Sequence, residues 1–362
     1  MIRGSVNHYA RGVGATADQT TTAAPGTLMA AEMAEQPSRL AALLARRREV
    51  VRELRALLPD RPIGTVLVAR GSSDHAATCG RYLLEMASGR PVSSASPSVH
   101  TLYRSEVDFS GHLVVAVSQS GRTPEIVEVV ERARATGGRA VAITNDATSP
   151  LARSADMVIA LEAGDERAVP ATKTVTCQLA AFAMLAQALG EIGLDDASAG
   201  SLPGQVAHVL ADVDPAVQLA EWLLGANRLA TVARGLLYGA AAEAALKIEE
   251  TTSVFASAFS AADLRHGPIA IASTGIAVLA FAHPGPACAD VLDLVEDLAV
   301  RGARTKLAGP VPGSDLPWPA AAPEALAPIL AVARAQQLAR FLALRMGRNP
   351  DAPSGLTKVT VT

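Results

Sequence analysis

Short apolar runs that end in a turn of small residues and lead into a helical pattern constrain the fold of this chain most strongly. The run Thr65–Ala69 leads into a Gly-Ser-Ser turn, and the run Leu113–Val117 leads into the loop SQSGRTPE. Continuous apolar runs of this length are typical of parallel strands that are buried on both faces. Their alternation with helices predicts an α/β fold built on parallel sheets.

The alternation occurs in both halves of the chain, on either side of the Gly and Pro residues at 200–204. Two similar α/β halves are therefore expected. We predict further strands at Ala140–Thr144, Met157–Leu161, Leu229–Val232, Ile276–Phe281 and Thr305–Ala308, and helices at Met29–Leu57, Pro124–Thr136, Thr174–Leu189, Val206–Leu224, Tyr238–Thr252, Ala289–Ala299 and Pro323–Met346.

These patterns divide the chain into five segments. Residues 1–26 are rich in Thr, Ala and Gly without apolar periodicity, so a flexible tail is predicted there. A helical segment is expected at 27–60, a first α/β domain at 61–198 and a second at 199–346. The remaining residues, 347–362, form a C-terminal tail.

Composition and charge exclude several classes of protein. Aromatic residues make up 3% of the chain, so the cores must consist mainly of Ala, Val, Leu and Ile. The net charge of -3 lacks the basic excess of a nucleic-acid binder. The apolar stretch Ile269–Ala282 is too short to span a bilayer, and the N-terminus has no apolar signal region. We expect a cytoplasmic protein that binds neither nucleic acid nor a membrane.

The three cysteines, Cys79, Cys177 and Cys288, are widely separated in the sequence. Their odd number and the absence of CxxC spacing argue against a disulfide framework and against a zinc site. We interpret them as buried reduced thiols and expect no metal.

Hydroxyl-rich turns follow both of the first two strands identified, as Arg70–Asp74 (RGSSD) and Ser118–Thr123 (SQSGRT). Backbone N–H groups at a helix start are unpaired, and Ser hydroxyls add donors, so such a turn can hold a phosphate. Ser73 alone is more simply explained as a helix cap. Two such loops at the carboxyl ends of parallel strands, however, converge on one crevice. Because no GxGxxG or GxxxxGK[ST] pattern is present, a phosphate monoester on a small molecule is favoured over a nucleotide.

Beyond these loops, an ordered series of motifs resembles the SIS (sugar isomerase) domain family. Within that family, the chain closely resembles the isomerase part of glucosamine-6-phosphate synthase and the stand-alone glucosamine-6-phosphate deaminases of that type. The resemblance implies a tandem pair of SIS domains, each a mainly parallel, doubly wound, flavodoxin-like sheet flanked by helices. The motifs are EMAEQP at 32–37, GSS at 71–73, SQSGRT at 118–123, VPATKT at 169–174, EAALKIEE at 243–250, LRHGPIA at 264–270 and LTKVTV at 356–361.

The resemblance implies that the chain binds a hexose 6-phosphate. Arg70 stands where the synthase has a Cys, Arg122 replaces an acid, and Ala171 replaces a Ser that helps to hold the sugar. The residues implied at the phosphate are Ser73, Ser118, Gln119, Ser120 and Thr123, and those implied to line the sugar are Ser72 and Val169.

Glu243, Lys247 and Glu250 project from one face of a predicted helix because their spacing is i, i+4, i+7. From spacing alone, an exposed salt-bridged stripe is the commoner explanation. The resemblance instead implies that Lys247 lies beside the substrate and that Glu250 is the base that moves a proton between C1 and C2. A Glu suits that task when its surroundings lift its pKa toward neutrality.

His266 and Lys358 complete the catalytic residues that the resemblance implies. His266 assists ring opening and is supplied by the neighbouring subunit, which predicts a homodimer, and imidazole can exchange protons near neutral pH. Lys358 by itself is typical of a solvated tail charge. The resemblance implies that the tail folds over the sugar and that Lys358 reaches its reactive end.

The sequence contains no glutaminase segment of the kind that supplies ammonia in the synthase. The reverse reaction, conversion of glucosamine 6-phosphate to fructose 6-phosphate and ammonia, is therefore predicted, without cofactor or metal. Deamination of galactosamine 6-phosphate and cleavage of fructosamine 6-phosphate adducts are the alternative enzyme functions. A non-catalytic sugar-phosphate sensor is the alternative of another class. Retention of Glu250, His266 and Lys358 together favours catalysis.

Overall fold

A computed structural model describes residues 24–58 and 60–358. Residues 1–23 of the predicted tail at 1–26 lie outside the described residues. The described chain contains two parallel sheets with helices on their faces, which confirms the α/β prediction. None of the helices in the described ranges combines the length and apolar character needed to cross a membrane.

The first sheet has five parallel strands in the order β2-β1-β3-β4-β5. Its central strand β3 places Val115 between Leu67 and Val141, and all three side chains are buried. This order is that of a doubly wound sheet, in which ligands bind beyond the carboxyl ends of the strands. The strands are β1 (Gly64–Val68), β2 (Val92–Ser94), β3 (His112–Val117), β4 (Arg139–Thr144) and β5 (Met157–Ala160).

The second sheet has four parallel strands in the order β7-β6-β8-β9, which repeats the beginning of the first sheet's order. Val278 and Leu279 in its middle are buried on opposite faces. The strands are β6 (Arg228–Ala233), β7 (Phe255–Ser260), β8 (Ala277–Phe281) and β9 (Arg304–Ala308).

Fourteen α-helices cover the sheets in the described ranges. Three short 3-10 helices lie at Gly235–Leu237, Pro268–Thr274 and Glu324–Leu326. The α-helices are α1 (Thr27–Ala34), α2 (Gln36–Ala45), α3 (Arg47–Leu57), α4 (Ser72–Ser88), α5 (Pro97–Thr101), α6 (Pro124–Ala135), α7 (Pro150–Ser154), α8 (Lys173–Leu189), α9 (Asp196–Ala211), α10 (Asp214–Leu223), α11 (Tyr238–Thr252), α12 (Ala261–Arg265), α13 (Cys288–Val300) and α14 (Ala327–Arg345).

The two sheets share one hydrophobic core, which joins Val115 of the first sheet to Leu279 of the second. Helices α8 and α14 lie inside this core and are buried along nearly their whole length. Helices α4 and α11 pack on each other, and Gly239 permits the close approach, because a Cβ there would lie 2.4 Å from the His75 carbonyl oxygen.

The structure corrects several predicted boundaries. The helix expected at 29–57 is divided into α1, α2 and α3 at Glu35 and Arg46. The helix expected at 206–224 is α9 followed by α10, and the Gly and Pro residues at 200–204 lie inside α9. Burial of Leu202 and Val206 on the core side of α9 outweighs the low helix propensity of Gly and Pro. The edge strands β2 and β7 were not predicted, because their sequences mix apolar and hydroxyl residues.

Candidate active site

A cavity of about 360 Å³ lies beyond the carboxyl ends of the inner strands of the first sheet. It brings together residues from β-strand ends, from α11 and from the C-terminal tail. The predicted site residues that line it are Ser72, Ser73, Ser118, Gln119, Ser120, Thr123, Val169, Glu250 and Lys358. It is also lined by Arg70, Gly71, Glu166, Ala171, Leu356 and Thr357.

The first hydroxyl loop, residues 70–74, places the N-terminus of α4 at the wall of this cavity. Gly71 is the N-cap residue of α4, and no side chain caps the helix. The buried Ser73 hydroxyl accepts a hydrogen bond from Gln178 Nε2 at 2.9 Å. A hydroxyl that accepts one hydrogen bond can still donate its own hydrogen, which suits an anionic ligand. Ser73 therefore lines the cavity wall and is not the side-chain cap of α4.

The second hydroxyl loop is folded by its own hydrogen bonds. Ser118 Oγ accepts from the Gly121 N–H at 3.1 Å, and Ser120 Oγ accepts from the Arg122 N–H at 3.3 Å. Gly121 has φ +63°, and a Cβ there would lie 2.1 Å from Ser149 Oγ, so only Gly fits this turn. Helix α6 begins directly after Thr123, whose side chain does not cap it. The loop thus lines the cavity with the hydroxyls of Ser118, Ser120 and Thr123, which are donors of the kind that bind phosphate.

The charged stripe on α11 is buried, which excludes the exposed salt-bridged stripe as its explanation. The side chains of Glu243 and Lys247 are 1% and 0% exposed, and Glu250 reaches the cavity. Lys247 Nζ lies 3.4 Å from Glu243 Oε1 and hydrogen-bonds to Glu250 Oε2. Lys247 itself does not line the cavity but lies behind Glu250.

Burial sets the proton affinity of the group that faces the cavity. Burial raises the pKa of Glu250 and the nearby Glu243 adds to this, while Lys247 and Lys358 oppose it. Burial also disfavours ionisation of Glu243, but Lys247 and His75 outweigh it and hold the pKa of Glu243 below its usual value. The helix therefore carries one fixed carboxylate and one carboxyl group whose pKa is closer to neutrality, as a general base requires.

Glu166, in the loop after β5, is a site residue that the sequence analysis missed. Its fully buried carboxylate accepts the backbone N–H groups of Thr172 and Thr174 at 2.9 and 3.1 Å. Lys358 Nζ donates to its other oxygen at 2.8 Å. Burial opposes ionisation of Glu166, but Lys358 and these hydrogen bonds lower its pKa. The sequence feature that could have identified Glu166 is its place as an acidic residue between a predicted strand and the VPATKT motif.

The C-terminal tail is attached to the body near this loop. Asp351 accepts the backbone N–H groups of Leu28 and Met29 through its carboxylate, and its carbonyl oxygen accepts the Val169 N–H at 2.9 Å. These bonds place the last described residues, 356–358, along the cavity wall. Lys358 is thus a half-buried residue of the cavity and not a solvated tail charge.

His266 is the predicted catalytic residue that does not line the cavity. It is exposed immediately after α12, where its backbone N–H donates to the Asp263 carbonyl at 3.1 Å.

Two of the three residues that differ from the synthase pattern are arginines that form ion pairs. Arg70 pairs with Glu125 and Arg122 pairs with Asp146, each at 2.9 Å. Ala171, the third departure, lines the cavity.

Two parallel sheets in one chain, with a hydroxyl-lined cavity at the carboxyl ends of the strands of the first, define a tandem α/β protein with one candidate site at that cavity. The SIS domain model matches residues 65–188 and 223–308. The chain belongs to the SIS domain family.

Known relatives extend this comparison. The glutamine–fructose-6-phosphate aminotransferase (isomerizing) of Pyrococcus horikoshii is 33% identical over 308 residues, which cover 82% of this chain and 51% of that protein. The chain thus spans about half the length of this curated relative.

Solved structures show the same fold. A candidate phosphosugar isomerase from Silicibacter pomeroyi is 33% identical, with a TM-score of 0.81, covering 90% of this chain and 100% of that one. The glucosamine-6-phosphate deaminase of Thermotoga maritima is 21% identical with a TM-score of 0.72, covering 91% of this chain and 100% of that one. The latter likeness shows the fold alone.

Proposed function

We propose that this protein is an isomerising glucosamine-6-phosphate deaminase of the cytoplasm, which converts glucosamine 6-phosphate and water to fructose 6-phosphate and ammonia. The observation that carries the proposal is the single cavity that joins two hydroxyl loops to Glu250 and Lys358. The similarity to isomerizing aminotransferases supports a phosphosugar substrate. Three free cysteines suit a reducing compartment.

The proposed reaction has three steps. His266 of a second subunit opens the sugar ring, and Glu250 then removes the C2 proton and returns it to C1. Together with transfer of a proton from the C2 amine nitrogen to the C1 oxygen, this step converts the C1 aldehyde to an alcohol and the C2 amine to an imine. Water then hydrolyses the imine to the ketone and ammonia. The raised pKa of Glu250 makes its carboxylate a stronger base for the C2 proton than an ordinary glutamate. The hydroxyl loops hold the phosphate throughout, and Lys358 contributes a positive charge at the reacting end.

A direct assay tests the proposal. The purified protein is incubated with glucosamine 6-phosphate, galactosamine 6-phosphate and a fructosamine 6-phosphate adduct, and the released ammonia or amine and the ketose phosphate are measured. We expect ammonia and fructose 6-phosphate in equal amounts from glucosamine 6-phosphate. Preference for either other substrate would replace the proposal by that enzyme function. Binding of a hexose 6-phosphate without turnover would indicate a sensor.

Replacing Lys358 with Met should lower kcat by about 10²-fold or more, the effect of removing one charge-stabilising group from an active site. The melting temperature should also fall, because the fully buried Glu166 loses its ion-pair partner and keeps only its hydrogen bonds to Thr172 and Thr174. Arg348→Met is a matched control, since Arg348 lies in the same tail but donates to Ser253 outside the cavity. Parental kcat in Lys358→Met would exclude Lys358 from the reaction.

Mixing two inactive variants tests whether His266 comes from a second subunit. His266→Ala and Glu250→Gln proteins are each expected to be nearly inactive. After subunit exchange, half of the dimers are mixed and each contains one intact site, so about a quarter of the parental activity should return. Steady-state assays with sedimentation of the mixture provide the measurement. A strictly monomeric active parent, or no recovery after verified exchange, would contradict the shared site.

A further inference from the structure

The base Glu250 is the last member of a buried series of contacts that begins on another helix. His75 of α4 lies with Nδ1 2.9 Å from Glu243 Oε2, and Glu243 contacts Lys247, which contacts Glu250. The side chains of Glu243 and Lys247 are excluded from solvent, whereas that of His75 is 23% exposed. Only the ends of the series, His75 and Glu250, therefore reach solvent or the cavity.

The charges in this series leave Lys247 shared between two carboxylates. Because Glu243 is held ionised, it only accepts hydrogen bonds, so His75 Nδ1 carries the hydrogen and donates it. This bond is made to Glu243 Oε2, while Lys247 Nζ lies 3.4 Å from Oε1, and the Ser72 side chain also hydrogen-bonds to Glu243. Without it, a buried carboxylate would lose a partner and would draw the Lys247 ammonium toward itself. Glu250 would then lose its counter-ion.

We propose that His75 is a positioning residue that holds Glu243 in place and thereby keeps the Lys247 ammonium on Glu250. The inference rests on the proposed function for its kinetic consequence, but the geometry concerns this chain alone. His75 touches neither the cavity nor a reacting atom, so it acts through its neighbours.

The charged and titratable groups around the pair Glu243 and Glu250 come from three elements. From α4, His75 and Cys79 face Glu243, and burial raises the pKa of the Cys79 thiol to about 12, so the thiol stays uncharged in an ordinary assay. From α11 itself, Lys247 acts on both carboxylates. From the tail, Lys358 acts on Glu250. Neither Cys79 nor Lys358 is altered in the test.

The test is the pH dependence of kcat for ammonia release in His75→Leu, His75→Asn and Glu243→Gln. The acid limb is the part of the pH profile in which kcat falls as Glu250 becomes protonated. Loss of the donor in His75→Leu should raise the pKa of Glu250 and move this limb to higher pH by about one unit. Asn places an N–H donor near the position of Nδ1, so His75→Asn should restore the parental limb. Glu243→Gln removes the like charge and leaves Lys247 to Glu250, so the limb should move to lower pH.

A measurement independent of activity follows the same group. Titration of ¹³C-labelled glutamate carboxyls by NMR, with the Glu250 signal assigned by its loss in Glu250→Gln, should show the same shifts. His112→Leu is the control, because His112 is a partly exposed histidine at the start of β3 whose Nδ1 contacts the Ser110 carbonyl.

The outcomes separate this inference from the proposed function. An unmoved Glu250 titration in His75→Leu, or a shift that His75→Asn does not reverse, would overturn the role of His75. If His75→Leu does not fold, an unmoved or upward shift in Glu243→Gln would overturn it. A parent protein that releases no ammonia from any amino sugar phosphate would refute the proposed function, while the NMR titration would still decide the role of His75.

Discussion

Replacing Glu250 with Gln should lower kcat by about 10²–10⁴-fold while the substrate still binds, because one positioned proton-transfer group contributes that much. Gln keeps the shape and can still hydrogen-bond, but it cannot accept the C2 proton. Exchange of the C2 hydrogen with solvent deuterium should therefore stop. Steady-state kinetics and NMR of the recovered sugar phosphate in D₂O provide the two measurements.

The pH profile of the same protein gives an internal check. Because burial raises the pKa of Glu250, parental kcat should fall on the acid side at a pH above the ordinary glutamate range. The adjacent Glu249 supplies the matched control, since its carboxylate accepts the Ala256 N–H at 3.2 Å and Glu249→Gln preserves an acceptor. C2 exchange at the parental rate in Glu250→Gln would show that another group is the base.

Replacing Ser120 and Thr123 together with Ala should raise KM for the 6-phosphate substrate by roughly 10²–10⁴-fold. Each hydrogen bond to a charged phosphate contributes about 1.5–3 kcal/mol, and the two losses together correspond to that range. The change should be much smaller for kcat, because these hydroxyls bind ground state and transition state alike. Initial rates over a wide substrate range measure both constants.

The control for this prediction is the pair Ser93→Ala and Ser94→Ala on the edge strand β2, whose exposed hydroxyls do not line the cavity. Inorganic phosphate should inhibit the parent and the control competitively but inhibit the Ser120/Thr123 variant weakly. A variant that retains parental KM and phosphate inhibition would remove the phosphate site from this loop.

Much of the fold was predictable from the sequence, because the determining signals are local. An apolar run such as Leu113–Val117 can satisfy its burial only inside a sheet covered on both faces, and Gly121 permits a turn that other residues resist. The hydroxyl loops could be located for the same reason, since they follow those runs directly. Edge strands β2 and β7 were missed because their sequences mix apolar and hydroxyl residues, so no continuous apolar run marks them.

The alternation of strands and helices, the two hydroxyl turns after the first strands and the three charged side chains on one face of α11 could all be read from local sequence patterns. The burial of this face, the ion pair between Glu166 and Lys358 and the contact between His75 and Glu243 depend on contacts between distant segments of the folded chain. The physical reason is that desolvation and ion pairing depend on which distant segment covers a side chain. Spacing along one helix is the same whether that segment is protein or water.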